Sequence, residues 1–212
     1  LSGAPDPDGD LADFVGFVVE DVQTAWQELF RADGRTYQVT TLVLFEEAVD
    51  SGCGLATSDV GPFYCPADRK VYLDLGFFRA LGEEFDAPGD FAQAYVIAHE
   101  IGHHVQTLLG TEERVRREQR RNRGEANELS VRMELQADCF AGVWGRAAQS
   151  VGILEAGDIE EGMDAAAAIG DDAILGEHAN QDRFTHGTSE QRMAALRRGL
   201  QSGDPGACQF TS

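Results

Sequence analysis

His99-Glu100-Ile101-Gly102-His103 sets two imidazoles four residues apart, with a carboxylate beside the first. On a helix, residues i and i+4 share one face with Cβ atoms about 5–6 Å apart, so both rings can hold one metal ion. Glu100 lies about 100° round the helix from His99. There it can reach a water at the metal without taking a coordination position. Further along, Glu134-Leu135-Gln136-Ala137-Asp138 offers two carboxylates one helical turn apart. Glu134 from a second helix completes a three-ligand zinc site with one position open. Asp138 is placed to accept a hydrogen bond from the far nitrogen of a ligand histidine, fixing its tautomer and raising its basicity. The predicted chemistry is hydrolysis of internal peptide bonds by a zinc-activated water. Zn2+ is held by His99, His103 and Glu134, and Glu100 is the general base.

His186 sits in a Gly-flanked turn ahead of a capped helix. It is a candidate catalytic residue, a donor to the oxyanion of a tetrahedral intermediate, with a structural turn residue as the even alternative. Tyr64, Tyr72 and Tyr95 are further candidate donors, each read first as a packing residue. His104 points about 100° away from His103 and reads as a packing or supporting residue rather than a ligand. His178 has no motif around it and reads as a surface residue.

The elements that must position these groups follow from periodicity and punctuation. Apolar residues at helical spacing predict a helix over 11–30, ending near Asp33-Gly34. The β-branched run 38–45 and the alternating stretch 70–75 predict strands, separated by a Gly/Ser/Asp-rich loop between Cys53 and Cys65. An exposed edge at 71–75 would accept a peptide as an added strand, with an ordinary internal strand as the equal alternative. Asp90 with Gln93 reads as a capping box for a metal helix over 91–109, stopped by Gly110. Residues 112–123 carry six arginines; the run reads as a solvated helix end and loop, with a basic docking patch as the rival. A second long helix is predicted over 127–151, where the small Gly142 and Gly145 would let the metal helix pack close. A shorter helix over 158–169, a long connection over 170–187, and a helix over 189–200 capped by Thr188 and Gln191 complete the chain. The fold class is therefore α+β: a small β-sheet with an edge strand beside a mainly helical bundle. Residues 1–9 read as a disordered or trimmed tail, and 10–212 as one domain. Asp6, Asp8 and Asp10 lack the glycine and terminal glutamate of a calcium loop and read as solvated.

Bulk properties narrow the setting. With 212 residues and a net charge of −20, the chain can bury a real core, and nucleic acid is not its partner. No apolar run reaches the roughly 18 residues of a membrane span. The four cysteines permit three pairings. Cys53–Cys65, closing a local loop, and Cys139–Cys208, tying the tail to the ligand helix, are favoured over free thiols. Such bonds persist in oxidising compartments, so the expected location is extracytoplasmic.

Five blocks together carry a resemblance. Residues 99–106 (HEIGHHVQ), 134–142 (ELQADCFAG) and 184–192 (FTHGTSEQR), with 63–68 (FYCPAD) and 71–75 (VYLDL), together resemble the bacterial neutral zinc metallopeptidase family over most of the chain from Gln38 onward. The resemblance implies a gluzincin: ligands His99, His103 and Glu134, general base Glu100, Asp138 behind a ligand histidine, and a peptide or protein substrate. Thr185-His186-Gly187 with Arg192 is also similar to the Thr-His-Pro and Glu-Arg segments of membrane heat-shock and CAAX-processing metallopeptidases, which implies an active-site role for His186. Gly187 departs from that pattern. Family members often carry an N-terminal membrane anchor, which is expected to lie outside this sequence. Three rivals stand beside the hydrolase: a non-catalytic zinc-binding interaction domain, a latent enzyme awaiting processing, and a di-iron carboxylate bundle. The last needs a second Glu-x-x-His, which the sequence does not offer.

Overall fold

The computed structural model describes residues 1–5, 11–83, 89–176 and 180–209. In chain order the elements are α1 (Leu11–Ala32), β1 (Thr41–Phe45), β2 (Ala48–Ser51), β3 (Gly54–Thr57), β4 (Phe63–Cys65), β5 (Lys70–Asp74), α2 (Leu75–Glu83), α3 (Asp90–Leu108), α4 (Thr111–Arg121), α5 (Ala126–Ser150), α6 (Asp158–Ala168), α7 (Asp171–Leu175) and α8 (Ser189–Ser202). The architecture is α+β, a small sheet beside a helical bundle. No helix among the described residues is long and apolar enough to cross a membrane.

Helix α1 forms because Phe14, Val18, Val22, Trp26 and Phe30 recur every four residues, giving one buried stripe. That stripe packs on α3 and α5; Trp26 meets Phe140 edge to face at 5.1 Å. Leu1 also joins this core, and the Ser2 N–H donates to the Ile153 carbonyl at 2.6 Å. The Asp6/Asp8/Asp10 triplet and His178 lie outside the described residues.

The sheet order is β1-β5-β4, with β1 parallel and β4 antiparallel to β5. Of the two equal readings of 71–75, this bears out the internal strand and overturns the exposed edge that would accept a peptide. Val71, Tyr72, Leu73 and Asp74 are buried, and β5 is the central strand. Its alternating sequence fits a strand but does not say which neighbours will pair with it. The edge beside the bundle is β4. Within the segment read as a loop, β2 and β3 form a separate hairpin, and the Cys53–Cys65 bond ties it to the end of β4. The second bond, Cys139–Cys208, joins α5 to the tail; there are no free cysteines among the described residues.

Helices α3, α5 and α8 pack in sequence across the bundle. Gly102 makes the first contact close, since a Cβ there would lie 3.0 Å from the Ala137 carbonyl oxygen. Gly142 was expected to admit α3; instead it faces α8, where a Cβ would overlap the Leu196 carbonyl and sit 2.9 Å from Gly199 Cα. The expected capping box on α3 is also absent. Gly89 is the N-cap, Asp90 is already helical, and the Phe91 N–H is met by Glu161 of α6 at 3.3 Å. A carboxylate distant in sequence thus does the work assigned to Asp90. The box of Thr188 and Gln191 on α8 is formed as expected. The arginine run is a full helix, α4, anchored by buried Thr111 and Val115 with its arginines exposed. The connection at 170–187 contains the short α7.

Candidate metal centre

His99 and His103 project from one face of α3 toward α5, where Glu134 meets both. His99 Nε2 lies 3.1 Å from Glu134 Oε2, and His103 Nε2 lies 3.4 Å from Glu134 Oε1. One ligand atom from each of the three residues fits within a 4.8 Å cluster. The imidazole planes stand 89° apart with centroids 4.8 Å from each other, so the rings approach one point from different directions. Both outer nitrogens are engaged elsewhere: His99 Nδ1 with Asp138 Oδ1 at 2.7 Å and His103 Nδ1 with Gln106 Oε1 at 2.8 Å. Each ring is thereby held with its Nε2 toward the shared carboxylate. Two nitrogens and a carboxylate are a donor set that suits zinc, so the residues fit the metal.

The two histidines and Glu134 shift one another's titration strongly. Burial works against charge on His99, yet Asp138 and Glu134 on either side outweigh it and raise its pKa to about 10. Burial opposes charge on His103 as well, and Glu134 raises its pKa all the same. Burial would push Glu134 up, but the two histidines hold it well below the usual carboxylate range.

Behind His99 the structure adds partners that the sequence did not mark. Asp138 is fully buried and accepts from His99, from the Tyr95 hydroxyl at 2.6 Å, and from Arg192 twice, through Nε and Nη2 at 2.9 Å each. Arg192, on α8 and 2% exposed, also donates to the Ile169 carbonyl at 3.0 Å. Against the burial that raises it, Arg192 and His99 draw the Asp138 pKa down to about 2. Arg192 was visible in the sequence only through its resemblance block; nothing local marks it as a buried partner of Asp138. Gln106 stood in the sequence within the resemblance block 99–106, three residues after His103, and its partners were not visible there.

The three donors open on a cleft of about 720 Å³. Glu100, 7% exposed, lines it, and burial raises its pKa while the adjacent histidines act to lower it. Phe63 and Tyr64 of β4 form part of one wall, and Glu112, Arg116 and Gln119 of α4 part of another. His186 lies on the same cleft. Its Nδ1 is 3.1 Å from Asp171 Oδ1, while Asp171 Oδ2 accepts the backbone N–H groups of Thr185, His186 and Gly187. Gly187 has φ of 91°, a conformation proline cannot adopt, and proline has no N–H to give Asp171. That is why this turn departs from Thr-His-Pro. The tyrosine hydroxyls are committed: Tyr64 to His104 at 3.0 Å, Tyr72 to Asp68 at 2.6 Å, and Tyr95 to Asp138. His104 pins α3 to the Gln38 carbonyl at 2.6 Å and is fully buried, a supporting role as expected.

The α+β fold thus brings a candidate metal-binding group of two histidines and a glutamate onto one cleft. Over residues 2–211 the sequence matches the family described as "Putative neutral zinc metallopeptidase", and the chain belongs to that family. It is 50% identical over 203 residues to the uncharacterized protein YpfJ of Escherichia coli K12, a match covering 94% of this chain and 71% of that protein. It is 42% identical over 205 residues to the uncharacterized protein Rv2575 of Mycobacterium tuberculosis H37Rv, covering 90% and 67%. No solved structure matches.

Proposed function

We propose that this chain is a zinc-dependent endopeptidase acting outside the cytoplasm, with His99, His103 and Glu134 holding the metal, Glu100 as general base and His186 as a second catalytic group. The observation that carries the reading is the meeting of His99 Nε2, His103 Nε2 and the Glu134 carboxylate beside Glu100 on one cleft. The two disulfides are compatible with the location. A bound zinc ion would supply Lewis-acid polarisation of the scissile carbonyl and of a water.

The chain's own residues do the rest. Glu100 takes the proton as water adds to the carbonyl and hands it to the departing amine. A carboxyl raised by burial suits both transfers near neutral pH. His186 commits Nδ1 to Asp171 and keeps Nε2 for the developing oxyanion. Asp138, neutralised by Arg192, holds His99 in register. The peptide pairs along β4, the free edge that lines the cleft.

The test compares zinc-loaded wild type with Glu100→Gln on unstructured peptides, reading cleavage by mass spectrometry and metal content by elemental analysis. The expected result is internal cleavage by wild type and a loss of roughly 10²–10⁴-fold in the variant at equal zinc content. Equal, negligible turnover in both zinc-loaded proteins would favour the binding module.

A further inference from the structure

The two histidines of the centre are backed by different chemistry. His99 leans on a carboxylate, Asp138. His103 leans on a neutral amide, Gln106, which is fully buried. Gln106 Nε2 donates onward to the Met133 carbonyl at 2.8 Å and to Gln136 Oε1 at 3.0 Å. Gln136 Nε2 in turn donates to the Cys208 carbonyl at 2.8 Å. Cys208 is bonded to Cys139, three residues beyond Gln136 on α5.

The four groups form one unbroken line with a single sense of donation, from the imidazole N–H through two amides to a backbone carbonyl. Each amide accepts at its oxygen and donates at its nitrogen. Turning Gln106 over would set its NH2 against the His103 N–H and its oxygen against two acceptors. Turning Gln136 over would set an NH2 against the Gln106 NH2 and an oxygen against the Cys208 oxygen. Gln106 is fully buried, and a buried polar group that loses its partner costs far more than an average hydrogen bond is worth, so the polarity is fixed there and the half-buried Gln136 continues it. That polarity puts the proton of neutral His103 on Nδ1 and the lone pair on Nε2, toward Glu134. The opposite tautomer would point an N–H where the ion must sit.

We propose that Gln106 and Gln136 are positioning residues for His103. Together they form an amide relay, anchored on the Cys208 carbonyl and held by the Cys139–Cys208 bond, that sets the tautomer and orientation of the ring. The inference rests on the reading of His99, His103 and Glu134 as a zinc site. The relay explains why a tail remote in sequence is fastened to the helix that carries Glu134. It also backs His103 without adding a second negative charge, Asp138 being already balanced by Arg192.

The test measures zinc affinity of the full chain by competition with a chromophoric chelator, and the visible spectrum of the cobalt-substituted protein, in wild type, Gln106→Leu and Gln136→Leu. Near-UV circular dichroism reports the fold of each. Loss of a partner behind a ligand typically weakens metal binding about 10–100-fold, and that is expected for Gln106→Leu. Gln136→Leu, whose side chain touches no donor, is expected to weaken binding in the same direction by at least about threefold and to shift the cobalt bands as Gln106→Leu does. Wild-type affinity and an unchanged cobalt spectrum in folded Gln136→Leu would overturn the relay, whatever Gln106→Leu does. If Gln106→Leu fails to fold, Gln136→Leu decides alone. A wild-type chain that binds neither zinc nor cobalt would sink the zinc reading itself, a failure seen before any variant is compared.

Discussion

Replacing Arg192 with Met isolates the charge balance behind the centre. Asp138 has no exposed side-chain surface and Arg192 only 3%, so neither charge is screened by solvent. Arg192→Met removes two of the four hydrogen bonds to Asp138 and orphans the Ile169 carbonyl. Breaking such a buried pair from one side costs about 3–5 kcal/mol, equivalent to a fall in melting temperature of roughly 6–20 °C for a domain of this size. A second estimate comes from acid. The folded Asp138 pKa of about 2 lies below its ordinary 3.8, so its ionised form stabilises the fold by about 2–3 kcal/mol. That contribution is complete above about pH 4 and lost as pH falls through about 2. The substitution should exceed it, because hydrogen bonds vanish along with the charge. In Arg192→Met, burial dominates Asp138, and acid destabilisation begins at higher pH. Calorimetry of the metal-free protein between pH 2 and pH 8, with Asp138→Leu and the double variant Asp138→Leu/Arg192→Met alongside, reads all of this. The double variant should lose less than the sum of the two singles, since each single leaves one charge of the pair without its partner. A loss under about 1 kcal/mol in Arg192→Met, or a double variant worse than the sum of the singles, would refute the reasoning.

Three further outcomes follow from the same geometry. His186→Ala should lower kcat by roughly 10²–10³-fold with unchanged zinc affinity, and Asp171→Asn should lower it less; steady-state kinetics and metal titration distinguish this from a structural role, in which kcat would not change. Because His99 and His103 carry raised pKa values in the metal-free protein, zinc should displace protons at neutral pH and bind more tightly as pH rises. Isothermal titration in buffers of different ionisation enthalpy should report net proton release. Replacing Cys53 and Cys65 with Ser frees the β2–β3 hairpin from β4, so kcat/KM for peptides should fall with little change in zinc affinity.

What the sequence carried was local. The i, i+4 spacing of His99 and His103 and of Glu134 and Asp138 fixes which groups share a helix face, and the two faces meet in the structure. Thr188 and Gln191 cap α8 as read because a capping box closes within four residues. Apart from the Cys139–Cys208 bond and the meeting of Glu134 with the two histidines, non-local pairing was not legible. Nothing in the run Val71–Leu75 states that β1 and β4 will flank it. The Glu161 carboxylate that meets α3 comes from another helix, and Arg192 reaches Asp138 only because α8 lies against α5. Gln106 could be assigned to the cleft face by its three-residue step from His103, yet the continuation to Gln136 and Cys208 exists only in three dimensions.

The contact of Gly142 with Gly199 gives the bundle an unusual kind of sensitivity. A methyl on either glycine would collide with backbone of the opposite helix, the Leu196 carbonyl for one and the Cys139 carbonyl for the other. Neither residue lines the cleft, yet the helix displaced by such a collision is the one that delivers Arg192. Gly199→Ala is therefore a lesion at a distance: it forces apart the seam between two helices, and the damage surfaces as a slackened histidine on a third.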